Sequence, residues 1–263
     1  MTIGSKNWVG AKGGSGVAQR IISEMPTHDV YLECFAGTGK IGLTKKPARS
    51  NIFIDSDTAA PIFSTMPPGS RIFRTASSFL TFTADTAHAG DISGNNVIAG
   101  DVISFLRSMQ HLVTDRWLIY LDPPYLSSVR SFKKADYYRH EFKTSEQHQL
   151  LLSLILTIGA KVMISGYDSD LYNEMLKGWR KISIPTVKRS GARSREIVWM
   201  NFSEPIVFHD DRFLGNNYRE RERIKRKKNR WRERLRKMDR LDRSAVIAAL
   251  SDMINAPVDL TDI

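Results

Sequence analysis

Five short stretches of the chain are apolar almost without interruption: residues 29–35, 51–55, 96–101, 117–121 and 161–165. Runs of this length, bounded by glycine, proline or an acid, read as strands buried on both faces. Between them apolar residues recur at helical spacing. Val17, Ile21, Ile22 and Met25 precede Pro26, while Val102, Ile103, Phe105 and Leu106 follow the third run. A helix over Gln147 to Ile158 is opened by the capping-box sequence Thr144-Ser145-Glu146-Gln147, and its leucines and isoleucines on all sides predict deep burial. Strands alternating with helices predict an α/β, doubly wound domain with a mainly parallel sheet. Ile182 to Lys188 and Arg195 to Phe202, on either side of a glycine-containing segment, predict an antiparallel hairpin at one sheet edge. Residues 58–95 are poorly patterned, with Arg71-Ile72-Phe73-Arg74 as a short strand among loops.

The run Trp117-Leu118-Ile119-Tyr120-Leu121 stops abruptly at Asp122-Pro123-Pro124-Tyr125. Neither proline can donate a ladder hydrogen bond, so the strand ends there and delivers Asp122 to its carboxyl edge. Ligands of open α/β sheets bind at that edge. Asp122 is an acceptor, the carbonyls of Asp122 and Pro123 face residues without an N–H, and Tyr125 offers a flat π face. Together they suit a planar amino-heterocycle whose amino protons need acceptors.

Two further strand ends suit a nucleoside. Gly37, Gly39 and Gly42 satisfy G-x-G-x-x-G, and Asp55, eighteen residues after Gly37, is placed to accept both hydrogen bonds of a ribose diol. An NAD-dependent enzyme is therefore one reading. It leaves the Asp-Pro-Pro-Tyr edge unexplained, and Lys40, Lys45, Lys46 and Pro47 leave only a short helix after the glycines. Asp101, ending the third strand, serves equally as a contact to adenine or as a helix N-cap.

Composition adds a partner. The 263 residues carry a net charge of +11, and ten of these charges fall between Arg212 and Arg243, where fifteen Lys/Arg face five Asp/Glu. A basic element so localised is the footprint of a polyanion binder. From Asn217 the pattern is helical, with Ile224, Trp231, Leu235, Met238 and Leu241 on one stripe that predicts docking on the body or a partner. A second helix over Leu241 to Ile254 stops before Pro257. No run reaches the ~20 apolar residues of a membrane span, and the first residues lack a signal-peptide core, so a cytoplasmic protein is expected. The single cysteine, Cys34, excludes a disulfide framework and a clustered-Cys zinc site, and reads as a buried small hydrophobe.

Asp122-Pro123-Pro124-Tyr125 resembles the catalytic motif of amino-directed DNA methyltransferases, especially Dam-type adenine-N6 enzymes. Most of residues 6 to 250, from Gly-Ala-Lys-Gly-Gly-Ser-Gly through Ser-Gly-Tyr and Arg-Glu-Ile-Val-Trp-Met-Asn-Phe to the basic tail, is similar to the compact phage and prophage members. The resemblance implies a Rossmann-like class I S-adenosylmethionine-dependent methyltransferase fold, with residues 1–210 as catalytic domain and 211–263 as a basic helical extension. S-adenosyl-L-methionine is the implied cofactor and no metal is implied. Trp8, Gly10 and Lys12 match an N-terminal cofactor element. Glu33, Phe35, Gly37 and Gly39 match the motif under the methionine moiety, with Cys34 in place of its usual proline; Asp55 and Asp101 fall at the nucleoside contacts, and Asp122 borders both cofactor and base.

Double-stranded DNA is the implied partner, with a monomer as the default state in a bacterial or phage-infected cell, in a restriction-modification setting. Candidate DNA contacts are Arg130, Lys133, Lys134, Tyr138 and Arg139 after the motif, Lys188, Arg189, Arg193 and Arg195 at the hairpin, and Lys225, Arg226, Lys227, Lys228 and Arg230 in the tail. Cytosine N4 or RNA adenine as substrate, and a non-catalytic DNA-binding protein, are the other readings.

Overall fold

The computed structural model describes residues 16–85, 92–125, 142, 144–187, 191 and 193–255. Eight strands form one sheet: β1 (Val30–Cys34), β2 (Ser50–Asp55), β3 (Arg71–Phe73), β4 (Gly94–Ala99), β5 (Trp117–Leu121), β6 (Lys161–Gly166), β7 (Arg180–Val187) and β8 (Arg193–Met200). Their spatial order is β3-β4-β2-β1-β5-β6-β8-β7. The first six run parallel. β8 runs antiparallel between β6 and β7, closing the edge as a hairpin whose strands each begin two residues earlier than the pattern predicts. The architecture is the Rossmann-like α/β fold expected, and Arg71–Phe73 is indeed a strand, extending the opposite edge beside β4.

Helices cover both faces because every central strand is buried on both. β5 has no exposed residue. Alternation along the strands sends Leu32, Cys34, Ile119 and Leu121 into one layer, against α4 (Ala76–Asp85), α5 (Val102–Met109), α6 (Ser145–Thr157) and α7 (Asp170–Met175). Tyr31, Phe53, Leu118 and Tyr120 point into the other, against α1 (Val17–Ile22), α2 (Lys40–Thr44) and α3 (Ile62–Thr65). The capping box forms: Thr144 accepts from Gln147 N–H, and the Gln147 side chain accepts from Thr144 N–H. Burial all round α6 does not occur, since Leu150 and Leu156 are 40% and 46% exposed. A helix in an outer layer has only one face against the sheet, and its hydrophobic excess stays outside.

The chain reverses direction across the sheet between β1 and β5. From β1 it passes through α2 to β2 on one side, and from β4 through α5 to β5 on the other. Such a switch point opens a crevice at the carboxyl ends of the two strands. There the Asp122 N–H donates to the Cys34 carbonyl at 3.3 Å. Cys34 itself is fully buried, as a small hydrophobe.

At the amino edge the chain after β8 is clasped to the body. Pro26 bridges Phe208, and the His209 N–H donates to the Met25 carbonyl. The Asp210 carboxylate, 1% exposed, accepts from Lys46 N–H at 2.7 Å and from the Arg212 guanidinium at 2.6 and 2.8 Å. Arg212 also donates to the Thr44 carbonyl. Burial alone would raise the Asp210 carboxyl, but these donors outweigh it and hold it below the usual aspartate range. Beyond a 3-10 turn at Asp211–Phe213 come α8 (Tyr218–Lys237), N-capped by Asn217, and α9 (Arg240–Asn255).

The predicted docking of the apolar stripe on the body is not what the structure shows. No α8 residue is buried, Trp231 is 49% and Leu241 72% exposed, and α8 meets the body at the turn, where Lys228 pairs with Asp211 at 2.6 Å. A helix this dense in arginine and lysine has too narrow an apolar stripe to repay desolvating its flanks. No helix among the described residues is long and apolar enough to cross a membrane.

Asp210→Ala leaves the Lys46 amide and Arg212 without their shared acceptor, and unfolding free energy in urea should fall by ~2–4 kcal/mol. Because the folded carboxyl titrates below its unfolded value, its contribution is complete above about pH 4 and is lost as pH drops further. The gap between wild type and Asp210→Asn should therefore close in acid; a gap independent of pH would remove Asp210 from this role.

Candidate active site

Period-2 alternation puts Asp122 on the same face as Tyr120, and that face carries its support. Ser165, at the end of neighbouring β6, donates from Oγ to Asp122 Oδ1 at 3.0 Å. Tyr120 Oη lies 2.9 Å from the same Ser165 Oγ. A hydroxyl has one proton, so a serine that donates to Asp122 accepts from Tyr120. Both hydroxyl residues are fully buried while Asp122 is half-buried. The result is a carboxylate at a crevice mouth, oriented from beneath by a two-hydroxyl relay.

Tyr125 is fixed at both ends. Its phenol O–H donates to the Glu196 carboxylate, 3.0 Å from Oε2 and 3.2 Å from Oε1. Its ring centroid lies 4.3 Å from that of Tyr167, inclined by 33°. Glu196 comes from the start of β8 and is only 5% exposed.

The loop after β1 turns tightly over the adjacent strand end. Gly37 and Gly39 have φ of 52° and 62°, and Phe35 adopts φ of 57°, a conformation that costs a bulky residue free energy. Its ring packs edge-on against Phe142 at 5.0 Å. Asp55 secures the loop, accepting from Gly37 N–H at 2.7 Å through Oδ2 and from Asp57 N–H at 2.9 Å through Oδ1. Glycine is required at 42, where a Cβ would lie 2.4 Å from the Phe53 ring and 2.7 Å from Glu33 Oε2.

Glu33 lies beneath this loop. It accepts from Gly42 N–H at 2.6 Å and from Tyr31 Oη at 3.0 Å. Burial pushes its carboxyl up to about 7 against the pull of those two donors. Burial likewise lowers Lys45 to about 7; its ammonium lies 4.3 Å over the Tyr31 ring and donates to Asn51 Oδ1. Asp101 caps α5, accepting from Ser104 N–H at 2.8 Å, and is exposed at the end of β4.

The structure thus gathers Phe35, Gly37, Gly39, Asp55, Asp101, Asp122, Pro123, Pro124 and Tyr125 along one sheet edge, with Glu33 behind the loop. Arg193 and Arg195 are exposed at the start of β8, which overhangs the carboxyl end of β6 because Gly166 already pairs with Ile197. They flank the crevice. Lys225, Arg226, Lys227 and Arg230 are exposed on α8, and Lys228 is partly exposed; the root of this helix is at the opposite, amino edge. Trp8, Gly10, Lys12, Arg130, Lys133, Lys134, Tyr138, Arg139, Lys188 and Arg189 lie outside the described residues.

Sequence reasoning missed Ser165, Tyr120, Glu196 and Tyr167 as parts of the site. Ser165-Gly166-Tyr167 carried a signal, being a strand end beside the Asp122 strand, whereas Glu196 in an antiparallel strand carried none. His148 is buried in α6 with Nδ1 2.8 Å from the Tyr172 hydroxyl.

No protein-family model matches this chain, and no curated protein does. Among solved structures it is similar to TrmK of M. capricolum in complex with S-adenosyl-homocysteine, at 8% identity over 92% of this chain and 97% of that one, with a TM-score of 0.40. It is also similar to a SAM-dependent methyltransferase from Agrobacterium tumefaciens (12% identity, 70% of this chain, TM-score 0.39), of which it spans 60%. A precorrin 8W decarboxylase from Methanobacterium thermoautotrophicum matches at 14% identity over 72% of this chain and 90% of its own, with a TM-score of 0.36.

Proposed function

We propose that the protein transfers a methyl group from S-adenosyl-L-methionine to the N6 amino group of adenine in DNA, residues 1–210 forming the catalytic unit and 211–263 a DNA-holding extension. The observation that carries this reading is the oriented Asp122 carboxylate at the switch-point crevice, followed directly by Pro123 and by the anchored ring of Tyr125.

The loop beside it favours S-adenosylmethionine over a dinucleotide. Pyrophosphate sites use the free amides and positive end of a helix. Here α2 has five residues, its Gly42 amide is given to Glu33, and the Gly37 amide is given to Asp55. A cofactor without phosphates makes no demand on those groups, while Asp55 and Asp101 remain at the strand ends where a ribose and an adenine would lie.

When bound, S-adenosylmethionine supplies an electrophilic methyl on a sulfonium that leaves as a neutral thioether, so alignment is the main task of the protein. The adenine amine is a weak nucleophile because its lone pair is delocalised into the ring. Asp122 and the Pro123 carbonyl accept hydrogen bonds from its two N–H groups, favouring tetrahedral nitrogen and localising the lone pair, and once the methyl has transferred one of those protons is released to solvent. Tyr125 holds the purine by stacking. In a duplex the target must first be flipped out, at a cost of a few kcal/mol. Arg193 and Arg195 are placed for backbone phosphates beside the crevice, and the exposed cations of α8 for phosphates further away.

The same grip fits cytosine N4 and does not read the sugar, which keeps RNA adenine as the second reading. Nucleoside analysis after labelled methyl transfer separates these: label in N6-methyl-2′-deoxyadenosine from DNA supports the proposal, whereas label in N4-methyl-2′-deoxycytidine or only in RNA defeats it. Asp122→Ala should lower the transfer rate by about 10²–10³-fold, measured at saturating cofactor; near-wild-type turnover would end the mechanism. Deleting residues 217–263 should weaken DNA binding and reduce the slope of log K against log salt by about one unit per lost phosphate contact. An unchanged slope would assign the tail to another role.

A further inference from the structure

The Tyr125 ring stands four residues beyond the end of β5, on backbone that no ladder hydrogen bond holds. Two prolines limit the approach to it but leave its own side-chain torsions unset. What sets them is side-chain contact. The phenol hydroxyl donates to a carboxylate, 3.0 Å away, that is itself 5% exposed, and the Tyr167 ring lies 4.3 Å from one face.

We infer that Glu196 is a positioning residue for the proposed reaction: it anchors the Tyr125 hydroxyl and so sets the plane on which the target base stacks, with Tyr167 backing that ring. This rests on the methyl-transfer reading and deepens it.

A carboxylate in the strand of a terminal hairpin is ordinarily exposed. Burying one requires partners, and an O–H donor to a carboxylate is among the stronger hydrogen bonds available. Backbone pairing holds Glu196 opposite Ile184 on β7, directly beside Ile197, which pairs with Gly166 on β6. The anchor is therefore rigid where the anchored ring is not. Tyr167 follows Ser165-Gly166 out of β6, so the strand that orients Asp122 through Ser165 also backs the ring through Tyr167. Acceptor and platform thus share a support in β6, through Ser165 and Tyr167. In a reaction governed by alignment, a displacement of about 1 Å costs on the order of 10²-fold in rate.

The test uses the full-length protein with Tyr125→Phe, Glu196→Ala, Glu196→Gln and the Tyr125→Phe/Glu196→Ala double variant, each checked for folding by thermal melting. Tyr125→Phe and Glu196→Ala should each lower kcat by about 10–100-fold, with equilibrium binding of S-adenosylhomocysteine unchanged. The double variant should be no slower than either single one, and Glu196→Gln, whose amide oxygen can accept from the phenol, should recover most of the loss. A crystal structure of ligand-free Glu196→Ala should show the Tyr125 ring displaced. Multiplicative losses in the double variant, or an unmoved ring, would overturn the inference while leaving methyl transfer standing. Should Glu196→Ala fail to fold, Glu196→Gln decides: a loss as large as that of Tyr125→Phe counts against the anchor. A wild-type protein that transfers no methyl to any nucleic acid would instead sink the underlying reading, with the structural arm still reporting on the anchor.

Discussion

Parallel pairing of β1 with β5 is the constraint on which the site depends. It aligns Cys34 with Leu121, so the glycine loop leaves one strand at the height where Asp122 leaves the other. The Gly37–Gly39 loop and Asp122 therefore border one crevice, with no further device needed to bring them together. The switch in strand order between these two elements keeps that crevice open, because the helices following β1 and preceding β5 pack on opposite faces of the sheet.

Polar groups behind the crevice form two separate supports. Tyr120 and Ser165 act on the acceptor, reaching Asp122 from below; Glu33 and Tyr31 act on the loop, holding Gly42. Buried hydroxyls and carboxylates are costly unless paired, and both sets are paired within the structure. Their burial moves titration in the direction expected for desolvation, upward for Glu33 and Tyr31 and downward for Lys45. The loop is thus tied down from within, at Asp55 as well as Glu33, and its backbone amides are engaged before any ligand arrives.

Charge is distributed differently from chemistry. The carboxyl edge of the sheet has few cations among the described residues, Arg193 and Arg195 being the nearest on β8, whereas α8 leaves the body at the amino edge. The Asp210–Arg212 clasp marks the transition. Up to it the chain packs by burying apolar surface; beyond it α8 keeps every residue at least partly in contact with solvent. An ideal helix of this length reaches about 30 Å, so its cations lie well away from the crevice.

Much of this was legible in the chain itself. Continuous apolar runs specified the parallel strands because strands covered by helices on both faces have no polar side, and Asp-Pro-Pro had to end β5 because proline cannot extend a ladder. The acid and glycine at each strand end, the capping box of α6 and the shortness of α2 followed from the same local rules. Tertiary structure alone decided who stands next to whom. Ser165 under Asp122, Glu196 at the hydroxyl of Tyr125, and Tyr167 on its ring are neighbours across 43, 71 and 42 positions of sequence, brought together by strand order, which local patterning does not encode. The exposed flanks of α6, and the α8 stripe's lack of a seat on the body, share one reason: a helix's own pattern states what it would bury, and only the packed sheet determines how much surface there is to receive it.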